Sequence, residues 1–64
     1  MQIQLNQLKK HKETYFKFKE ESNTVYTINY YDRSTKKYSV SPVPDMNRMM
    51  FIKPTRLIVI GFTY

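Results

Sequence analysis

His11 is the only imidazole in a chain that has no cysteine, so the usual ligands of a structural zinc and a thiol nucleophile are both missing. It stands within KKHK, a run of charged residues, and it reads as a solvated surface residue. Glu20 and Glu21 are adjacent, and on extended backbone adjacent side chains point to opposite faces, so they cannot converge on one bond as a glycosidase pair does. Asp32 and Asp45 fall in separate loops, and Ser34, Ser39 and Ser41 have no activating base nearby. A single glycine excludes phosphate-binding and dinucleotide-binding loops, and neither GxSxG nor HExxH occurs. The chain reads as a non-enzyme with no cofactor and no metal.

The pattern that does suggest chemistry is aromatic rings interleaved with cations. Tyr15 stands beside Lys17 and Lys19, and Tyr31, Arg33, Lys36, Lys37 and Tyr38 gather around a later turn. Flat rings stack on bases while lysine and arginine neutralise phosphates, the combination that holds single-stranded nucleic acid. Eleven Lys and Arg against five Asp and Glu give a net charge of +6, which favours a polyanionic partner. The plainer account of the same residues is structural: tyrosine suits strands, and lysine guards exposed sheet edges.

These residues need strands to position them. In ETYFKFK, residues 13 to 19, Thr14, Phe16 and Phe18 share one face and Tyr15, Lys17 and Lys19 the other. Glu20 to Asn23 reads as a turn into TVYTINYY, residues 24 to 31, dense in β-branched and aromatic side chains. A second turn falls at Asp32 to Thr35, and the strand from Lys36 to Ser41 places Tyr38 and Val40 inward with Lys37, Ser39 and Ser41 outward. Pro42 and Pro44 end regular pairing because proline lacks the amide donor. Arg48 to Ile52 forms a short strand, Lys53 to Thr55 a tight connection, and Arg56 to Tyr64 a final strand whose LIVI core is apolar on both faces and demands cover on both. Met46, Met49 and Met50 read as core filling, with an adaptable partner-binding patch as the alternative.

The first dozen residues fit a strand, through Met1, Ile3 and Leu5, or a short helix, through Met1, Leu5 and Leu8, and the strand is preferred. With the helix, the order of elements resembles the Sm-like small barrel; the glycines and the Asp and Asn positions of the Sm motifs are not present, and no residue is carried over. The expected fold is mostly β: a single domain over residues 1–64, an antiparallel meander closed as a five- or six-stranded SH3-like or OB-like barrel. An open sheet that dimerises through one face competes with it.

A chain of 64 residues buries only about 60% of its unfolded surface, and with no disulfide to help, self-association through the last strand is a compatible expectation. At 41% hydrophobic and 16% aromatic the composition is that of a folded protein. No signal peptide and no run long enough to cross a bilayer is seen, and a secreted domain this small would carry disulfides, so the expected setting is cytoplasmic and away from membranes. The leading functional expectation is single-stranded DNA or RNA binding. The alternative is a small protein-interaction factor, of the kind phages and plasmids use to modulate a target protein.

Overall fold

The structure, a computed structural model, describes residues 1–62. Within them lie the strands β1 (Gln2–Gln4), β2 (Tyr15–Phe16), β3 (Tyr26–Asp32), β4 (Lys37–Pro42), β5 (Met50–Ile52) and β6 (Leu57–Val59). The fold is mostly β and antiparallel. β2 to β5 form one sheet in chain order, and β1 pairs with β6 in a second. The two sheets are stitched together at Lys17 and Val59, whose backbones exchange hydrogen bonds of 2.7 and 3.0 Å.

Alternation puts Ile3 on the inner face of β1, where it faces Ile58 across the ladder. Phe16 of β2 and Val40 of β4 point the same way, and with Leu5, Leu8 and Ile60 they make one buried cluster. Phe18, Tyr26, Ile28, Tyr38, Met50 and Ile52 pack around it. Phe16 is fully buried at the centre, its ring 6.0 Å from that of Tyr26 and 5.5 Å from that of Phe18. Burial of a side chain of this class stabilises by about 1.5–3 kcal/mol, so a handful of such residues must carry a domain this small.

The ladder is not closed into a barrel. Among the described residues β5 pairs only with β4, and β1 only with β6. The cause is a long-range contact: the amides of Leu5 and Asn6 donate to the carbonyls of Arg56 and Pro54, each at 2.9 Å. The chain leaving β1 therefore crosses the β5–β6 connection instead of running alongside β5. It then forms a 3-10 turn, Leu5–Gln7, so the preferred strand holds for Gln2–Gln4 and the α-helical alternative is not realised.

Several elements are shorter or differently placed than alternation alone suggests. The strand expected over residues 13 to 19 is a regular pair only at Tyr15–Phe16, extended by the single bridge at Lys17. Pro42 does not end pairing; it is the last residue of β4, opposite Tyr26, and the next amide, Val43, still donates to Val25 at 2.8 Å. Proline is tolerated there because a terminal ladder position needs no donor from it. β6 spans Leu57–Val59, its pairing with the first strand is prolonged by Ile60, which exchanges backbone hydrogen bonds of 2.8 and 3.0 Å with Met1, and residues 63 and 64 of the expected last strand lie outside the described ones. Its edges are occupied by β1 and by Lys17, so the described part of the last strand has no free edge at Val59 to offer a second copy. Met50 packs on the core, but Met46 and Met49 are exposed, which corrects their reading as core filling.

Candidate functional site

The decisive local feature is a bulge in β3. Ile28 pairs with Val40 and Tyr30 with Ser39, so Asn29 is an extra residue with no partner of its own. Two consecutive side chains, Asn29 and Tyr30, are thereby turned to the outer face of the sheet, and alternation resumes with Tyr31 facing inward opposite Tyr38. The Asn29 amide Nδ2 fastens the arrangement, donating to Ser41 Oγ at 2.8 Å and to Ser39 Oγ at 3.3 Å. Ser39 and Ser41 do lie on the outer side of β4, as expected, yet both are fully buried. Small residues on a central strand disappear between larger neighbours.

Cross-strand partners share a face, so the pairing defines rungs across the outer surface. One rung is Tyr30, Ser39 and Phe51; the next is Tyr15, Thr27 and Ser41. Tyr30 is 50% exposed and Phe51 45%. Beyond Phe51 the surface dips into a depression of about 300 Å³ lined by Lys37, Phe51, Ile52, Lys53, Thr55 and Arg56. Three cations and an exposed ring thus meet at one place. Arg56 is held there partly by the ring of Phe18, 5.0 Å from its guanidinium carbon, an arrangement that leaves its donors for an anion. No lysine or arginine forms an ion pair with a carboxylate among the described residues.

The residues singled out from sequence do not form one surface. Tyr15 is at the β2 edge of the outer face. Lys17 is half-buried at the junction of the sheets, its Nζ 4.5 Å from the Phe62 ring centroid. Lys19 borders a shallow depression shared with Glu20 and Glu21, whose charge would repel a phosphate. β2 and β5 are three strand spacings apart, roughly 14 Å, so Lys17 and Lys53 stand at opposite edges of the sheet. Arg33 and Lys36 lie exposed in the β3–β4 turn, and Lys37 is in the cationic depression. Tyr31 and Tyr38 stack edge to face, ring centroids 5.0 Å apart, on the inner side. There they line a separate groove of about 440 Å³ with Leu5, Leu8, Lys9 and Ile28.

Compared with known proteins, the chain matches no family model, no curated protein and no solved structure. Sequence reasoning missed Tyr30, Phe51, Lys53 and Arg56. Phe51 lies on a short strand and Lys53 just beyond its end, and their meeting with Lys37 depends on the β4–β5 register, which no local pattern announces.

The turn that presents Arg33 and Lys36 is built as its composition suggests. The Asp32 carboxylate accepts a 2.9 Å hydrogen bond from the Ser34 amide, and that bond holds its pKa below the ordinary 3.8. His11 is exposed, and no group of three or more His, Cys, Asp or Glu side chains gathers among the described residues. No helix among them is long and apolar enough to cross a membrane.

Proposed function

We propose that the protein binds single-stranded nucleic acid on the outer face of the four-stranded sheet. Lys37, Lys53 and Arg56 take phosphates, and Phe51 and Tyr30 take bases. The observation that carries this reading is the exposed Phe51 ring standing at the lip of a depression lined by three cations. Rings give affinity without reading sequence, because every base has a π-face, so the binding is tolerant of sequence. Arg33 and Lys36, on the adjoining turn, extend the positive surface; Lys17, Lys19, Tyr31 and Tyr38 lie off it and take no part. Tyr15 sits at the far edge of the same face. In this reading the fold is a small barrel left open between β1 and β5, and the setting is cytoplasmic.

The test is a titration of a labelled single-stranded oligonucleotide at two salt concentrations. Three neutralised phosphates on a single strand give a log–log salt slope of about −2, so affinity should fall roughly twentyfold between 50 and 200 mM salt. No binding to any oligonucleotide at low salt would remove the proposal.

A second reading rests on a different observation. Met46, Met49 and Leu57 are about half exposed, in a chain that buries few apolar side chains elsewhere. Adaptable methionines of this kind suit a protein partner, and the chain would then act as a small modulator of that partner. A stoichiometric protein complex that survives both nuclease and charge reversal at Lys37 and Lys53 would favour it.

A further inference from the structure

We infer that the groove between the turn over residues 5–12 and β3 binds a free aromatic amino acid, with its ring in the groove and its two charged groups at the rim. This site lies on the inner side of the sheet and stands apart from the nucleic-acid surface. It exists because β2 is short. Pairing stops at Tyr15, opposite Thr27, so from Ile28 onward β3 has no strand beside it on that side. The turn faces it there across an open space of about 440 Å³. Small-molecule sites measure about 300–1,000 Å³ and are largely apolar with a few polar groups. The lining fits that description: Leu5, Leu8 and Ile28 are aliphatic, and Tyr31 and Tyr38, edge to face at 5.0 Å, add two rings. Tyr31 is 43% exposed, so the core does not consume its ring and a flat aromatic guest can meet it.

The charges at the rim decide the class of ligand. Lys9 and Glu13 both line the groove, and neither is in an ion pair. Their backbones are fixed by the end of the turn. The Lys12 amide donates to the Lys9 carbonyl at 3.0 Å and the Glu13 amide to the Leu8 carbonyl at 3.3 Å, closing the chain around Lys12, whose φ of 57° is left-handed. One ammonium and one carboxylate are thus held beside the same apolar groove. A purely anionic guest would be repelled by Glu13 and a purely cationic one by Lys9. A guest that carries an ammonium and a carboxylate next to an apolar ring satisfies both, and that is the chemistry of an aromatic amino acid.

The experiment is an NMR titration of the full chain with L-tryptophan, following the backbone amides. Affinity in the low-millimolar range or tighter is expected for so small a ligand, with saturable shifts at Leu8, Lys9, Ile28, Tyr31 and Tyr38. Indole has the ring without the charges and leucine the charges without the ring, and each should bind roughly fivefold more weakly. Lys9→Gln and Glu13→Gln, both at exposed positions, should melt as the wild type does. Each should cost tryptophan roughly two- to fivefold in affinity and leave indole unchanged. No shift with ligand up to roughly 10 mM, or shifts on the outer face alone, would overturn the site. Indole binding as tightly as tryptophan, or either variant holding tryptophan at wild-type strength, would overturn the charge assignment. Leucine binding as tightly would overturn the ring. None of these results bears on oligonucleotide affinity, which tests the outer face separately.

Discussion

Asn29→Ala tests the bulge that organises the outer face. The substitution removes an amide that donates to two fully buried hydroxyl oxygens, Ser41 Oγ at 2.8 Å and Ser39 Oγ at 3.3 Å. Asn29 does not have a positive φ, so alanine meets no backbone strain there and the effect is confined to the lost bonds. Leaving a buried polar group without its partner costs about 1–3 kcal/mol, and the longer bond to Ser39 belongs at the weak end. The two together come to about 2 kcal/mol. A domain of this size has a total stability of roughly 3–10 kcal/mol, so the melting temperature should fall by roughly 8–16 °C. Replacing the acceptors as well distinguishes this cause from a general loosening. Ser39→Ala and Ser41→Ala added to Asn29→Ala leave no orphaned oxygen, and the triple variant should regain at least half of the loss. Thermal melts followed by circular dichroism, with urea unfolding as a second probe, measure all three. If the triple variant is less stable than Asn29→Ala, the hydrogen bonds are not what the amide contributes.

Two further expectations concern the β3–β4 turn. Lys36 has a φ of 57°, in the left-handed region that penalises a side chain, so Lys36→Gly should be neutral to stabilising by up to about 1 kcal/mol despite the added chain entropy; a loss above about 1 kcal/mol in urea unfolding would contradict it. Asp32 has its pKa lowered by the Ser34 amide, so its contribution is present above 3.8 and fades as pH falls through the lower folded value. Asp32→Asn keeps a side-chain acceptor for the amide and should flatten stability against pH in that acid window, while an unchanged pH profile would show that the bond carries no net stability.

The parts of this fold that were legible in sequence are those where a period of two meets a buried face. Ile3, Phe16 and Val40 could be placed on one face because each has polar or exposed neighbours on both sides, whereas the LIVI run reads as apolar on both faces and its alternation does not show that Ile58 is buried and Leu57 exposed. The Asp32 turn was legible because an aspartate side chain can replace a backbone acceptor two residues on. Closure was not, since it depends on where the amides of Leu5 and Asn6 find carbonyls, and those belong to Arg56 and Pro54 some fifty residues away. Exposure of Met46 and Met49 was hidden for a related reason: methionine carries no periodic signature in a loop, and only packing decides whether it is covered.

The binding surface was half legible, and the bulge explains which half. Counting strictly by twos from Thr27, which faces outward, Tyr31 falls on the outer face and Tyr30 inside. One inserted residue reverses the two. Tyr31 thereby joins Tyr38 against the inner groove, and Tyr30 becomes the ring that stands across Ser39 from Phe51. Nothing in NYY announces the shift locally, because asparagine and tyrosine are both at home on an outer strand face. The bulge has a tertiary correlate: a regular ladder would set Asn29 directly opposite Ser39, whereas from the bulge its amide reaches both buried serines, Ser41 Oγ at 2.8 Å and Ser39 Oγ at 3.3 Å. The same hydrogen bonds that satisfy the interior of the sheet therefore choose which tyrosine is offered to a ligand. Structure and proposed function hang on a single side-chain amide.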